Sequence, residues 1–360
     1  MNELKAGRLA VTYAGCFLGA GFVSGQELWQ FFGVFGVRGY MGFALSAVLF
    51  FLLGVLLVRL TQLSGINEMD TVLIPWEIPW LRKTVGVIEA VFLFGMVTVM
   101  TAGAGALACQ LTGIPAWLFG ALFGAAVAVA AMAGLKGMVH VFSALVPVLA
   151  VATVCFAVAA WTSFGTAGIW QGVDQNTNPL MPNWFIAALT YVAYNLLGSI
   201  GIITPIGGLV KRQGTVYAGI GLSCLMLCAI AGSVLTSLAA HTSAAGAELP
   251  MLALACDLSP ALGKIYGVLL LLGMFGNSLA SLVALTTYLE QKKPVLAEHR
   301  KVLTAGLGAG AWVGSLAGFA GLIGVVFPVF GYISITLLAC MVIHFVQCKK
   351  KEKAENAAGG

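Results

Sequence analysis

The sequence predicts an all-α integral membrane protein of about ten transmembrane helices, built as a 5+5 inverted repeat in which helices 1 and 6 are discontinuous. Three observations lead there: 60% hydrophobic against 9% charged residues, a series of long charge-free runs, and two Gly-rich interruptions five spans apart. So little charge cannot wet the surface of a soluble chain of 360 residues, so the bilayer must cover most of it.

A hydrocarbon layer ~30 Å thick takes ~20 mostly apolar residues as helix. Runs 9–26 and 39–58 supply the first two spans, and run 90–135 holds two more. Runs 137–173 and 175–210 hold one apiece plus a loop, 213–247 and 265–289 one each, and 302–348 two, giving ten. The turns inside the double runs fall at Leu111-Thr112-Gly113-Ile114-Pro115 and near Gly318-Phe319-Ala320-Gly321. A barrel would show short segments alternating apolar and polar, whereas these runs are apolar on all sides.

Orientation follows from Lys and Arg, which stay in cytoplasmic loops close to the spans. Sixteen of the eighteen fall on one side: Lys5, Arg8, Arg59, Arg82, Lys83, Lys136, Lys211, Arg212, Lys292, Lys293, Arg300, Lys301, Lys349, Lys350, Lys351 and Lys353; only Arg38 and Lys264 fall on the other. Both termini are therefore expected in the cytoplasm, and the net charge of +5 reports topology rather than nucleic acid binding. Residues 1–348 read as a single membrane transport domain and 349–360 as a basic, disordered cytoplasmic tail. Segment 65–82 with Val72-Leu73-Ile74, and outer loop 241–262 with Met251-Leu252-Ala253-Leu254, are expected to hold short interfacial helices or gates. Trp117, Trp161, Trp170 and Trp184 gather near the outer boundary, as aromatic anchors do. Eight scattered cysteines read as small apolar packing, and His140, His241, His299 and His344 are too dispersed for a metal cluster or relay.

Span 1 carries Gly15, Gly19, Gly21 and Gly25 among Cys16, Ser24, Gln26 and Glu27; span 6 carries Asn195, Gly198, Ser199, Gly201, Pro205, Gly207 and Gly208. Such density makes an unbroken helix costly, because Pro deletes a backbone bond and Gly gains entropy when released. These are the first members of spans 1–5 and 6–10. Two consecutive units with an odd number of helices enter the membrane from opposite sides, and matched interruptions in two halves point to a transporter's midplane site.

The run Gly19-Ala20-Gly21-Phe22-Val23-Ser24-Gly25-Gln26-Glu27-Leu28-Trp29-Gln30-Phe31-Phe32 resembles the signature of the YkvI-type amino acid permease family of bacterial membrane proteins, within the amino acid–polyamine–organocation superfamily. The resemblance covers essentially the whole chain. It implies the leucine-transporter-type fold, the bacterial cytoplasmic membrane, and secondary active transport of an amino acid or related small zwitterion by rocking around helices 1 and 6.

An unwound stretch in lipid must give its freed N–H and C=O groups a partner, and a polar solute can be that partner. Gly19, Gly21, Phe22, Ser24, Gly25 and Gln26, at the start of a half-helix, are assigned to an anionic end, and carbonyls freed near Asn195, Gly198 and Ser199 to an ammonium group. The competing reading is that the glycines only permit close helix packing. Glu27 follows the break directly, as a proton carrier, a gate or a vestibule-facing residue, while Glu89 is expected at the cytoplasmic interface beside Lys83. In sodium-coupled members of the superfamily, span 8 side chains meet span 1 carbonyls around a cation. The resemblance therefore implies Gly15 and Leu18 as carbonyl donors with Asn277, Ser278 and Ser281 opposite, an oxygen-only set suited to Na⁺. Interhelical hydrogen bonding competes with that role. Some proton-coupled relatives carry a lysine in span 5, whereas Lys136 sits at the border here. Coupling to Na⁺ or H⁺ is thus expected, with no other cofactor. The alternatives are a membrane-embedded enzyme acting on a lipid-linked substrate, whose outer-loop acids are Asp174, Glu248 and Asp257, or a solute sensor that keeps the fold without transporting.

Overall fold

A computed structural model of the chain describes residues 4–170, 172, 174–176, 178–247, 249–317 and 320–358, with side chains left aside at 20, 320–326 and 355–358. Gly318, Phe319 and Glu248 thus lie outside the described residues. The segment read as the first span is three short helices, α1 (Ala6–Gly15), α2 (Ala20–Ser24) and α3 (Gln26–Phe31). Then come α4 (Val37–Ser64), α5 (Met69–Leu73), α6 (Pro79–Thr112), α7 (Ala116–Ala131) and α8 (Gly134–Phe164). The second half holds α9 (Trp184–Gly207), α10 (Gln213–Ala240), α11 (Pro250–Leu258), α12 (Pro260–Lys292), α13 (Val295–Glu298), α14 (Arg300–Ser315) and α15 (Ala320–Ala358).

Seven of these are long and apolar enough to cross a bilayer: α4, α6, α8, α9, α10, α12 and Phe327–Ala354 of α15. Local chemistry sets their ends. Pro79 and Pro260 occupy first-turn positions where no backbone donor is needed. Asn183 caps α9 by accepting from the Phe185 and Ile186 N–H groups at 3.1 and 3.0 Å. Gly113 closes α6 in the left-handed region, φ 75°, donating to Cys109 O at 3.0 Å.

The helices pack as two groups. The three-part first span, α4, α9 and α10 lie together, as do α6, α7, α12 and α14; α8 bridges α10 and α12, and α15 lies on α9 and α4. In the most apolar window of α9 83% of residues are buried and in that of α12 78%, against 39% for α4 and for α8, so α9 and α12 form the centre and α4 and α8 the rim. The rim presents Met41, Val48 and Leu52 of α4 and Val148, Val151 and Val158 of α8 outward, a surface only lipid can solvate. The chain is a multi-pass membrane protein.

One end of the bundle bears both termini. There Leu4 N–H donates to Leu209 O at 3.2 Å and Gln291 to Asn67 O at 3.2 Å. The short helices expected in segment 65–82 and loop 241–262 are α5 and α11, and both are largely buried.

Three expectations are corrected. Helix 6 is not discontinuous: α9 runs unbroken through Asn195, Gly198 and Ser199. Pro205 stands in its last turn; it offers no N–H to the Gly201 carbonyl four residues back, yet lies too near the end to divide the helix. The glycines serve packing instead, since a Cβ at Gly201 would stand 3.0 Å from Ala284 Cβ and one at Gly198 3.3 Å from the Phe92 ring. The tail expected to be disordered continues α15 as helix to Ala358, because Lys, Glu and Ala propagate a helix already nucleated in the bilayer. Glu89 is not interfacial but fully buried in α6.

Candidate functional site

The site is built where the first helix stops. Past Gly15 the helical ladder gives way to tight turns, Phe17 N–H to Ala14 O at 3.1 Å and Gly19 N–H to Phe17 O at 2.8 Å. Helix α2 then begins at Ala20 from an extended Gly19 and ends at Gly25, whose φ of 81° only glycine adopts cheaply, redirecting the chain into α3. A side chain at Gly25 would also strike Leu238, Val234 and Met251.

The interrupted span is held by long-range polar contacts. Tyr266 of α12 donates its hydroxyl to Val23 O at 2.8 Å, and Asn277 Nδ2 donates to Cys16 O at 3.4 Å. Gly19 lies against Asn277, since a Cβ there would stand 2.9 Å from its Nδ2. The Leu18 carbonyl faces Gly273, 3.6 Å from where a Cβ would be. Asn277 Oδ1 and Ser278 Oγ are buried beside this break without a hydrogen-bond partner, and Ser281 is buried one turn on. Orphaned oxygens are costly unless something occupies the place they face.

On the other side of α2, Glu27 folds back over Gly21, so closely that a Cβ at Gly21 would overlap its carboxyl group. Tyr194 donates to Glu27 Oε2 at 2.9 Å, and the carboxylate is 3% exposed. Around it stand rings: Tyr194 stacks on Phe327 at 5.0 Å, and Phe31 meets Tyr194 at 5.6 Å and Tyr191 at 5.3 Å. A buried carboxylate and aromatic faces beside an interrupted helix are groups of the kinds that pair with a small cation or zwitterion.

No family model matches the chain. It is 26% identical over 354 residues to the uncharacterized membrane protein YkvI of Bacillus subtilis (strain 168), covering 96% of each chain. The likeness to YkvI runs end to end. The uncharacterized protein YyaD of the same organism is 25% identical over 344 residues, covering 94% of this chain and 96% of YyaD. Among solved structures, MhsT in complex with L-phenylalanine superposes with a TM-score of 0.69 at 17% identity, over 94% of this chain and 87% of that one. A Na⁺-coupled sialic acid symporter, substrate-bound and outward-open, gives 0.73 at 10% identity over 93% and 78%. Mhp1, a nucleobase-cation-symport-1 family transporter, gives 0.66 at 18% identity over 91% and 75%. At these identities the solved structures establish the fold, which is that of membrane transporters.

Of the residues that the sequence assigned, Gly19, Gly21, Phe22, Ser24, Gly25 and Gln26 do lie at the break. Ser24 Oγ, however, donates to Gly21 O at 3.4 Å and accepts from the Gln26 N–H at 3.3 Å, so it caps the turn locally. Gln26 Oε1 is buried and unpartnered. Asn195, Gly198 and Ser199 carry no freed carbonyls: Asn195 donates to Tyr191 O at 2.9 Å and Ser199 to Leu196 O at 2.8 Å, each within the continuous α9. Gly15 packs against the Phe142 ring of α8. Tyr194, Tyr191 and Tyr266 were not assigned from sequence; the available signal was a pair of tyrosines three residues apart, Tyr191 and Tyr194, in span 6. Among the described residues no group of His, Cys, Asp and Glu could hold a metal. His241 is not free: it meets Asp257 at 2.9 Å and stacks on Phe164 at 3.9 Å, while buried His344 donates to Val72 O at 2.9 Å.

Proposed function

We propose that the chain is a secondary active transporter of an amino acid or a related small zwitterion, coupled to Na⁺ or H⁺. In this reading the seven long helices are joined as spans by the three-part first helix, α7 and α14, giving ten in a 5+5 inverted repeat. Both termini then face the cytoplasm, as the Lys and Arg asymmetry requires. The observation that carries the reading is the interrupted first span with unpartnered Asn277 Oδ1 and Ser278 Oγ buried beside it. An oxygen-only set of the Gly15 and Leu18 carbonyls with Asn277, Ser278 and Ser281 fits a hard monovalent cation, and the orphaned oxygens are what such an ion would satisfy.

The solute's polarity is set by Glu27. Its carboxyl occupies the ground over Gly21, so the ammonium end of a zwitterion pairs with Glu27 and the faces of Tyr194 and Phe31, in place of the α9 carbonyls, which the helix uses itself. The solute carboxylate turns toward the cation beside α12. Alternating access follows from the two helix groups, with the Tyr266 to Val23 and Asn277 to Cys16 bonds crossing between them. Uptake of a radiolabelled amino acid panel into proteoliposomes, with imposed Na⁺ or pH gradients, tests the reading. Gradient-dependent flux is expected; absence of both flux and binding across the panel would sink it, and turnover of a lipid-linked substrate lost in Asp257→Asn would point to an enzyme instead.

A further inference from the structure

Three carboxylates are buried among the described residues: Glu27, Asp70 and Glu89. Glu27 receives the Tyr194 hydroxyl, and Asp70 receives Thr71 Oγ1 at 3.2 Å, the Tyr288 hydroxyl at 3.4 Å and Lys292 Nζ at 2.8 Å. Glu89 differs from both. It is 0% exposed and neither carboxyl oxygen has a hydrogen-bond partner. It stands seven residues beyond Arg82 in α6, ~10 Å deeper along the helix axis.

The groups facing it can be gone through element by element. From α5 comes Asp70, within electrostatic range. From α12 come Tyr288 and Lys292, both engaged with Asp70, and from α15 comes His344, engaged with Val72 O. Arg300 of α14 is taken by Glu290 at 3.0 Å, α7 holds no titratable residue, and the α9 tyrosines Tyr191 and Tyr194 stand at the Glu27 end. Among the described residues no donor bonds to Glu89, and the charge felt there, that of Asp70, has its own sign. An ionised carboxylate so placed has lost its hydration with nothing in return, whereas a neutral carboxylic acid forfeits only a hydrogen bond.

Asp70 also lines a cleft of about 770 Å³, open to the end that bears the termini, together with Glu68, Thr71, Arg82, Tyr288 and Lys292. Lys292 ties α12 to this wall through Glu68 at 2.6 Å and Asp70 at 2.8 Å. Gly86, one turn before Glu89, makes room for the tie, since any Cβ there would overlap the Tyr288 hydroxyl.

We propose that Glu89 is a proton-binding site of this molecule, occupied while the Lys292–Asp70 tie holds α12 against α5 beneath the cleft and emptied when the tie parts and cleft water reaches the carboxyl. On opening, the acid O–H bond breaks, the proton leaves on a cleft water, and the electron pair stays on Glu89 as carboxylate; nothing is oxidised or reduced. The role of this proton in a transport cycle rests on the transporter reading above, but its presence on Glu89 does not.

Infrared difference spectroscopy on the purified full-length chain in lipid, stepped between pH ~5 and ~9, reads the proton directly. The native protein is expected to show a carbonyl band of a non-hydrogen-bonded carboxylic acid that persists at neutral pH. Glu89→Gln should lose that band, Asp70→Asn should keep it, and Lys292→Met, which removes the tie and lets water past it, should let the band titrate at lower pH. Glu89→Asp should shift its frequency, which secures the assignment if the glutamine variant does not insert. No such band at neutral pH, a band unchanged in both Glu89 variants, or one that appears only when metal cations are removed would each overturn the proposal. Lost uptake with an intact band would sink the transporter reading alone, and intact uptake without the band would sink this one alone.

Discussion

The contact between Gly21 and Glu27 can be tested by adding one methyl group. Gly21 has ordinary helical backbone, so alanine meets no conformational objection there; the obstacle is the Glu27 carboxyl, which lies where the Cβ must go. Glu27 is held at 2.9 Å by the Tyr194 hydroxyl inside a ring of aromatic side chains, so moving it breaks that bond in a buried place. Overpacking costs about 1–3 kcal/mol, and orphaning the carboxylate or the hydroxyl costs about 1–3 kcal/mol more. Gly21→Ala should therefore destabilise by about 2–6 kcal/mol. In a Glu27→Ala background the space is open and the same substitution should be neutral or gain up to about 1 kcal/mol from helix propensity. Denaturant titration of the four purified proteins closes the double-mutant cycle. A cost for Gly21→Ala that is equal in both backgrounds within ~0.5 kcal/mol would refute the contact and the ammonium-pairing role built on it.

Asn277→Ala combined with Ser278→Ala should abolish any rise in apparent stability on adding sodium, which for a bound ion at 100 times its Kd is about 2.7 kcal/mol; a sodium effect that survives in thermal-shift measurements would remove the ion from this place. Pro205→Ala should stabilise by up to about 1 kcal/mol by restoring one bond to a continuous α9, whereas loss of solute binding would show that the last turn of α9 is a working interruption after all. Gly201→Leu should cost about 3 kcal/mol or more by forcing α9 off Ala284 and Met69, and unchanged denaturation would refute the packing role of that glycine. Lys292→Met should cost about 1–2 kcal/mol, because Asp70 is buried but Lys292 is partly solvated; it should also speed maleimide labelling of a cysteine placed at Thr71, and equal labelling rates would show that the tie does not restrain this wall of the cleft.

The break in the first span was legible because Gly19 and Gly25 are required for two different reasons in one short stretch, close approach to Asn277 and positive φ. The same composition misled in α9, where glycine permits contact with Ala284 and Phe92, and no count of glycines distinguishes a backbone that unwinds from one that is approached. Glu89 was misplaced because α6 begins at Pro79, so Arg82 and Lys83 occupy its opening turns and leave Glu89 well inside. Tyr194 and Tyr266 escaped notice because their partners, Glu27 and Val23, lie 167 and 243 residues away, beyond any local pattern. The helical, lipid-solvated architecture needed none of this, only the run lengths and the lack of charge.

Helix α15 is described as one piece from beside the Tyr194 ring to the last basic residues of the chain. From Phe327 to Lys353 it measures ~39 Å at 1.5 Å per residue. One helix thus carries both Phe327, stacked on the tyrosine that donates to Glu27, and the basic run Lys349, Lys350 and Lys351, with Pro328 near its far tip. A rigid shift at the basic end would be carried to the ring that stacks on Tyr194.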